Sequence, residues 1–141
     1  MKKYLYPILL ILITLPILVA CTNPEPKQNS AKDVSFSRVS LEEINEENRE
    51  KIEENKRNPG YTVFTQGNEK YIAVFAGEKP SSGYEIRIEK IEEKEKENSS
   101  IIFTSESKPD MDGMYLTVLT YPVDVARVGG DLREEIRIER R

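Results

Sequence analysis

Hydrophobic and polar residues alternate with different periods along this chain, and those periods divide it. Tyr4 to Val19 is an uncharged, mostly apolar run, and Thr22 to about Asp33 has no apolar pattern at all. Val34-Ser35-Phe36-Ser37 alternates, as a short first strand would. Ser40-Leu41-Glu42-Glu43 then spells a capping box, and it predicts a helix over about Leu41 to Arg57. On that helix Leu41, Ile44, Asn48, Ile52 and Asn55 share one narrow face, so it can lie only shallowly on the rest of the domain. Glu47 with Lys51 and Glu53 with Arg57 are its favourable i,i+4 pairs, and its remaining charges read as a solvated face.

Asn58-Pro59-Gly60 stops the helix, and the period becomes two. Tyr61 to Thr65 predicts a strand and Gln66-Gly67-Asn68 a hairpin turn. Tyr71 to Ala76 is nearly all apolar, the signature of a central strand buried on both faces. Ile86 and Ile88 alternate with charges, but Ile91 falls out of phase, which predicts a bulge near Glu89 and Lys90. Glu92 to Asn98 reads as a charged hairpin tip, and Ile101 to Thr104 resumes the sheet. After the loop Ser107 to Gly113, Met114 to Tyr121 is the longest strand signal in the chain, interrupted at Pro122. Val123, Val125 and Val128 continue in alternation, and Gly129-Gly130-Asp131 turns into a last strand, Glu135 to Glu139. The echo of Glu-Ile-Arg-Ile-Glu at 85–89 and 135–139 reads as edge-strand patterning without a longer repeat. Together these elements predict a mainly β domain: a small antiparallel β-sandwich or open barrel of six to eight short strands, with one N-terminal surface helix.

Between the two clearest strands lies Gly77-Glu78-Lys79-Pro80-Ser81-Ser82-Gly83-Tyr84. Pro80 suits the second position of a turn, the serines can bond to turn amides, and Gly77 and Gly83 suit backbone conformations closed to other residues. Lys79, Pro80, Ser81, Ser82, Gly83 and Tyr84 form either a sturdy connection or a recognition loop. Exposed turn substitutions stay within about 0.5 kcal/mol, so replacing both serines by alanine should barely change stability, but it should weaken partner binding if the loop recognises.

Charge and cysteine usage add a compartment. Lys2 and Lys3 precede the apolar run, which is shorter than the ~20 residues of a membrane span and ends in Leu18-Val19-Ala20-Cys21. Small residues before the chain's single cysteine resemble a bacterial lipoprotein signal with its lipobox. That resemblance implies cleavage of residues 1–20, lipidation of Cys21 and a membrane-anchored, extracytoplasmic protein. Residues 21–33, with Pro24 and Pro26, then form a flexible tether, and residues 34–141 form one domain. Removing residues 1–20 leaves 19 basic and 25 acidic side chains, a net of −6, which argues against nucleic acid as a partner.

Little remains for catalysis. The chain has no histidine, so Ser-His-Asp and Cys-His systems are excluded, along with metal sites built from histidine and cysteine. Lys79 and Ser81 are two residues apart in a turn, a spacing that does not aim an amine at a hydroxyl. Asp110-Met111-Asp112-Gly113 has part of a calcium-loop pattern, but alignment on its glycine puts Lys108 and Leu119 at the first and last ligand positions. No catalytic residue, metal site or cofactor is expected.

From Tyr71 to Val128 the chain resembles the PrcB-type C-terminal domain family. The resemblance rests on an apolar strand ending in Ala76-Gly77, then Lys79-Pro80-Ser81-Ser82-Gly83-Tyr84, a Ser-Lys-Pro loop and Thr120-Tyr121-Pro122. It implies a non-catalytic extracytoplasmic binding or scaffolding module. The partner it implies is an envelope or surface protein, with a protease complex as the founding case. Pro80-Ser81-Ser82-Gly83-Tyr84 is also similar to the Pro-Thr-Thr-Gly-aromatic loop of chagasin-type inhibitors of papain-like cysteine peptidases. No Arg-Pro-aromatic loop accompanies it here, and Gly129-Gly130 is only a loose counterpart of their glycine-rich loop.

Overall fold

A computed structural model describes residues 31–110 and 112–141. The expected signal peptide, Cys21 and most of the expected tether lie outside those residues. Eight strands form two four-stranded sheets that face each other as an open sandwich. One sheet orders β1 (Ala31–Asp33), β5 (Glu85–Lys94), β6 (Ser99–Ser107) and β8 (Glu135–Arg140). The other orders β2 (Phe36–Arg38), β7 (Val123–Val128), β4 (Glu69–Phe75) and β3 (Gly60–Gln66). Ala31–Asp33, assigned to the tether by composition, pair with Glu92–Lys94. Val34 and Ser35 carry the chain from one sheet to the other, so the first strand is two short ones.

The apolar run on β4 is explained by what covers each face. Ile72, Val74 and Ala76 point into the sandwich, where they meet Ile88, Ile91 and Ile102. Tyr71, Ala73 and Phe75 point outward and are covered by Ile44 and Ile52. Ile52 belongs to α1 (Glu46–Asn55), which packs on β3. Phe64 of β3 stacks on its register partner Tyr71 with centroids 5.4 Å apart.

The single helix expected over Leu41–Arg57 is two pieces. The Ser40/Glu43 capping box forms, but it opens only a 3₁₀ turn, Leu41–Glu43. Ile44 is then extended (φ −84°, ψ 133°), which drives its side chain into the core, and Asn45 caps α1 by accepting from the Asn48 N–H. Gln66 bridges the break: its side-chain oxygen accepts from Asn45 N–H (2.8 Å), and its amide donates to Glu43 O (3.0 Å). Of the expected stripe, Ile44, Asn48 and Ile52 are buried, whereas Leu41 and Asn55 are exposed. The Glu47–Lys51 pair forms at 2.8 Å, and Glu53 pairs with Lys56 and not with Arg57.

The predicted bulge is present. The register of β5 against β6 shifts between Ile88 and Lys90, and the shift lets Ile86, Ile88 and Ile91 all face inward. β5 also runs further than its charges suggested, through Lys94, because Glu92, Glu93 and Lys94 pair with both β1 and β6. The sheet beyond it departs from a purely antiparallel pattern: β8 lies parallel to β6. After β6 the chain crosses into the other sheet to build β7, so it returns to β6 in the same direction. Met114–Tyr121, expected as the longest strand, is not one; its ladder contact is a single bridge, Lys79 with Thr120.

Candidate functional site

Both irregular connections, Ala76–Tyr84 and Lys108–Pro122, lie at the same end of the sandwich and are bonded to each other along their length. Ala76 N–H donates to Pro122 O (3.1 Å). Lys79 and Thr120 exchange two backbone bonds of 2.9 and 3.0 Å. Further out, the Thr120 hydroxyl donates to Ser81 O (2.7 Å), and Ser82 N–H donates to Leu116 O (3.0 Å). Leu116 N–H returns a bond to Ser82 Oγ (3.0 Å). Ser82 is therefore a brace for the neighbouring segment. Its loss would hand the exposed Leu116 amide to water and remove one of the two bonds between Ser82 and that segment.

Glycine matters here at two positions. Gly77 has φ 77° and is pressed by Pro59; a Cβ there would lie 2.7 Å from the Pro59 Cδ. Gly83 has φ 88°, and a Cβ on it would lie 2.4 Å from Cε1 of Tyr115 and 2.9 Å from Cβ of Pro109. The Tyr115 ring thus fills the space over Gly83, and its hydroxyl accepts from Asp110 N–H (2.9 Å). This one side chain ties the outer part of the second connection to both arms of the pair.

The base of the tip is held by charge. Lys79 Nζ lies 3.0 Å from Glu106 Oε2 and 5.7 Å from the Tyr84 ring centroid. Arg140 of β8 reaches the other oxygen of Glu106 at 3.2 Å. Tyr121 donates its hydroxyl to Glu78 Oε2 (3.0 Å), and that hydrogen bond, followed by desolvation, raises its phenol above the ordinary value. Chemistry between Lys79 and Ser81 has no geometric basis: the amine is engaged by Glu106, and the serine hydroxyl donates to Ser82 O. Among the described residues no group of three His, Cys, Asp or Glu side chains could hold a metal ion.

Lys79, Pro80, Ser81, Ser82, Gly83 and Tyr84 are thus brought together as expected, but as one wall of a two-loop structure. The other wall carries what the periodicity concealed. Met114 is fully exposed, Leu116 is 73% exposed, and Val118 and Leu119 remain about half exposed. Read as a strand, these residues would be core; on the braced tip they form an apolar surface. A hint was available in the flanks, since Gly113 and Pro122 bracket the run with residues that disfavour a long ladder.

Both connections, with β5 to β7 and all of β4 but Glu69, fall inside one stretch of sequence likeness. Residues 70–129 match the family described as PrcB C-terminal. The match supports membership of that family. It covers 60 of the 141 residues, leaving α1, β3 and β8 outside it. Searches of curated proteins and of solved structures returned no match. Among the described residues, no helix is long and apolar enough to cross a membrane.

Proposed function

We propose that this chain is a non-catalytic accessory protein, held outside the cytoplasm by lipid on Cys21, that binds and supports a protease-complex partner through the braced tip. The observation that carries this reading is the exposure of Met114, Leu116, Val118 and Leu119 on loops that are bonded to each other. Burying one such leucine on association is worth about 1.5–3 kcal/mol. Bracing reduces the ordering entropy that a free loop would lose on binding. The PrcB C-terminal likeness spans both walls of the tip and supports a protease-complex association.

The tip also suggests the partner's chemistry. Glu78, Asp110 and Asp112 outnumber Lys108 among the exposed charges of the two connections, an acidic excess that suits an apolar recess with a basic rim better than an anionic membrane surface. The inhibitor reading draws less support, because Ser81 and Ser82 are bonded to the 116–120 segment and do not stand free as a wedge.

The test uses full-length chain carrying a photo-crosslinking residue at Leu116 in membranes of its own cell. One protease partner should crosslink and co-purify stoichiometrically, and Met114→Asp or Leu116→Asp should reduce its recovery about tenfold with the melting temperature unchanged. Equal recovery from these variants would remove the tip from the interface. Potent inhibition of papain-like enzymes would favour the second reading. The anchor is tested separately: Cys21→Ser should release the chain from the membrane, and globomycin should block its processing.

A further inference from the structure

The four outer strands of the two sheets are not guarded alike. β1 and β2 have three residues each, and β8 presents Glu135, Arg137 and Glu139 along its length. β3 has seven residues, Gly-Tyr-Thr-Val-Phe-Thr-Gln, with no charge, no proline and no register shift against β4. An exposed strand of that kind is a ready template for another chain.

Its unused backbone groups can be identified from register. The Gly67-Asn68 turn closes on the bonded pair Gln66 and Glu69, so by alternation Phe64, Thr62 and Gly60 bond to β4. Tyr61, Val63 and Thr65 then turn their N–H and C=O groups outward. The Thr65 carbonyl accepts from Asn48 Nδ2 (3.2 Å), which agrees with that alternation and leaves Tyr61 and Val63 as the open part. Both residues are 40% exposed. They line a groove of about 560 Å³ whose other walls carry Leu132 and Ile136 together with Lys70, Arg133 and Glu134.

We propose that this edge and groove bind an extended segment of another protein by strand addition, a segment apolar at alternate positions with lysine or arginine between them. Apolar side chains of the added strand would enter the groove beside Tyr61 and Val63. The intervening ones would face the side of β3 on which α1 lies, where residues 41–57 carry seven glutamates against Arg49, Lys51, Lys56 and Arg57. That balance calls for a basic segment. A second copy fits worse, because pairing β3 with itself would set two acidic helices over one continuous sheet. Residues 22–30 of this chain also fit poorly, since Pro24 and Pro26 interrupt them and no alternate residue is apolar. β3, β8 and α1 all lie outside the matched stretch, and the groove's lining includes no residue of 76–84 or 108–122.

The experiment adds nine-residue peptides to detergent-solubilised full-length chain, one alternating lysine with valine and one alternating glutamate with valine. The lysine peptide should bind, shift the amide signals of Tyr61 and Val63, and protect them from hydrogen exchange. The glutamate peptide should bind at least about tenfold more weakly. Val63→Pro, which removes an outward N–H without touching the β3–β4 ladder, and Val63→Lys, which places a like charge in the groove, should each weaken the lysine peptide about tenfold. If Val63→Pro fails to fold, Val63→Lys decides. Leu116→Asp should leave peptide affinity unchanged, which separates this surface from the tip. Absence of binding at about 1 mM peptide, equal affinity for both peptides, or equal affinity in Val63→Lys would overturn the proposal. So would amides at 61 and 63 already protected before peptide is added, whether by a second copy or by the chain itself.

Discussion

Gly83 and Tyr115 are the residue pair on which the tip depends. A methyl group at position 83 meets both a disfavoured φ and a ring carbon 2.4 Å away, so Gly83→Ala should cost roughly 2–4 kcal/mol, read by urea unfolding. Tyr115→Ala removes the ring's share of the clash, leaving the φ and Pro109, and in that background Gly83→Ala should cost at least about 1 kcal/mol less; simple additivity would show that the ring is not the obstacle. A glycine here was legible in the sequence as a special backbone position. Its partner was not, because Tyr115 lies 32 positions away in a run that reads as strand. Tyr71 supplies a second residue-scale outcome. Burial, then its hydrogen bond to Glu69, raises its phenol above the ordinary value. The unfolded phenol ionises near pH 10, so the advantage of the neutral folded form is complete below about pH 10 and is lost as pH rises through the folded value. Melting temperature should therefore fall more between pH 9 and 11 in the parent than in Tyr71→Phe, and equal falls would exclude this phenol as the cause.

Polar side chains, as well as apolar packing, join elements here. β1 covers only the far end of β5, and the exposed edge at Ile88 is met from the other sheet. Asp124 of β7 accepts from Ile88 N–H (2.7 Å) and from Arg38 Nε (3.2 Å), while Arg38 Nη2 donates to Ile88 O (2.7 Å). Asp124→Ala leaves that amide and guanidinium without their acceptor, and should cost about 2 kcal/mol with an unchanged denaturant slope. Asp124→Asn, which keeps an acceptor, should cost less; the reverse order would refute the clip. Nothing in the periodicity singles out Asp124, because a polar residue in an alternating strand reads as solvent-facing. The helix shows the converse. Its Ser40 capping box forms but opens only a 3₁₀ turn, and the break at Ile44 depends on Gln66, a residue on another element that satisfies the opened turn.

At the scale of the whole molecule, β8 closes one side of the sandwich. It contributes Ile136 and Ile138 to the core and covers the edge of β6 in parallel. Ending the chain at Asp131 should expose that edge and lower the melting temperature by roughly 10 °C or more, with association visible in light scattering; a monomer of parental stability would show β8 to be dispensable. Local order was written in the sequence wherever one residue's neighbours along the chain decide its place. The hairpin at Gly67, the buried run on β4, the bulge that rephases Ile91 and the left-handed glycines at 77 and 83 are of that kind. Tertiary structure alone decided the rest. Alternation cannot say which sheet a strand joins, so the split at Val34 and the parallel return of β8 came only with the fold. It also cannot say whether an apolar run will find a partner strand. Met114–Leu119 lie instead against a connection whose own polar atoms suffice, and the side chains of Met114, Leu116, Val118 and Leu119 are left to the surface.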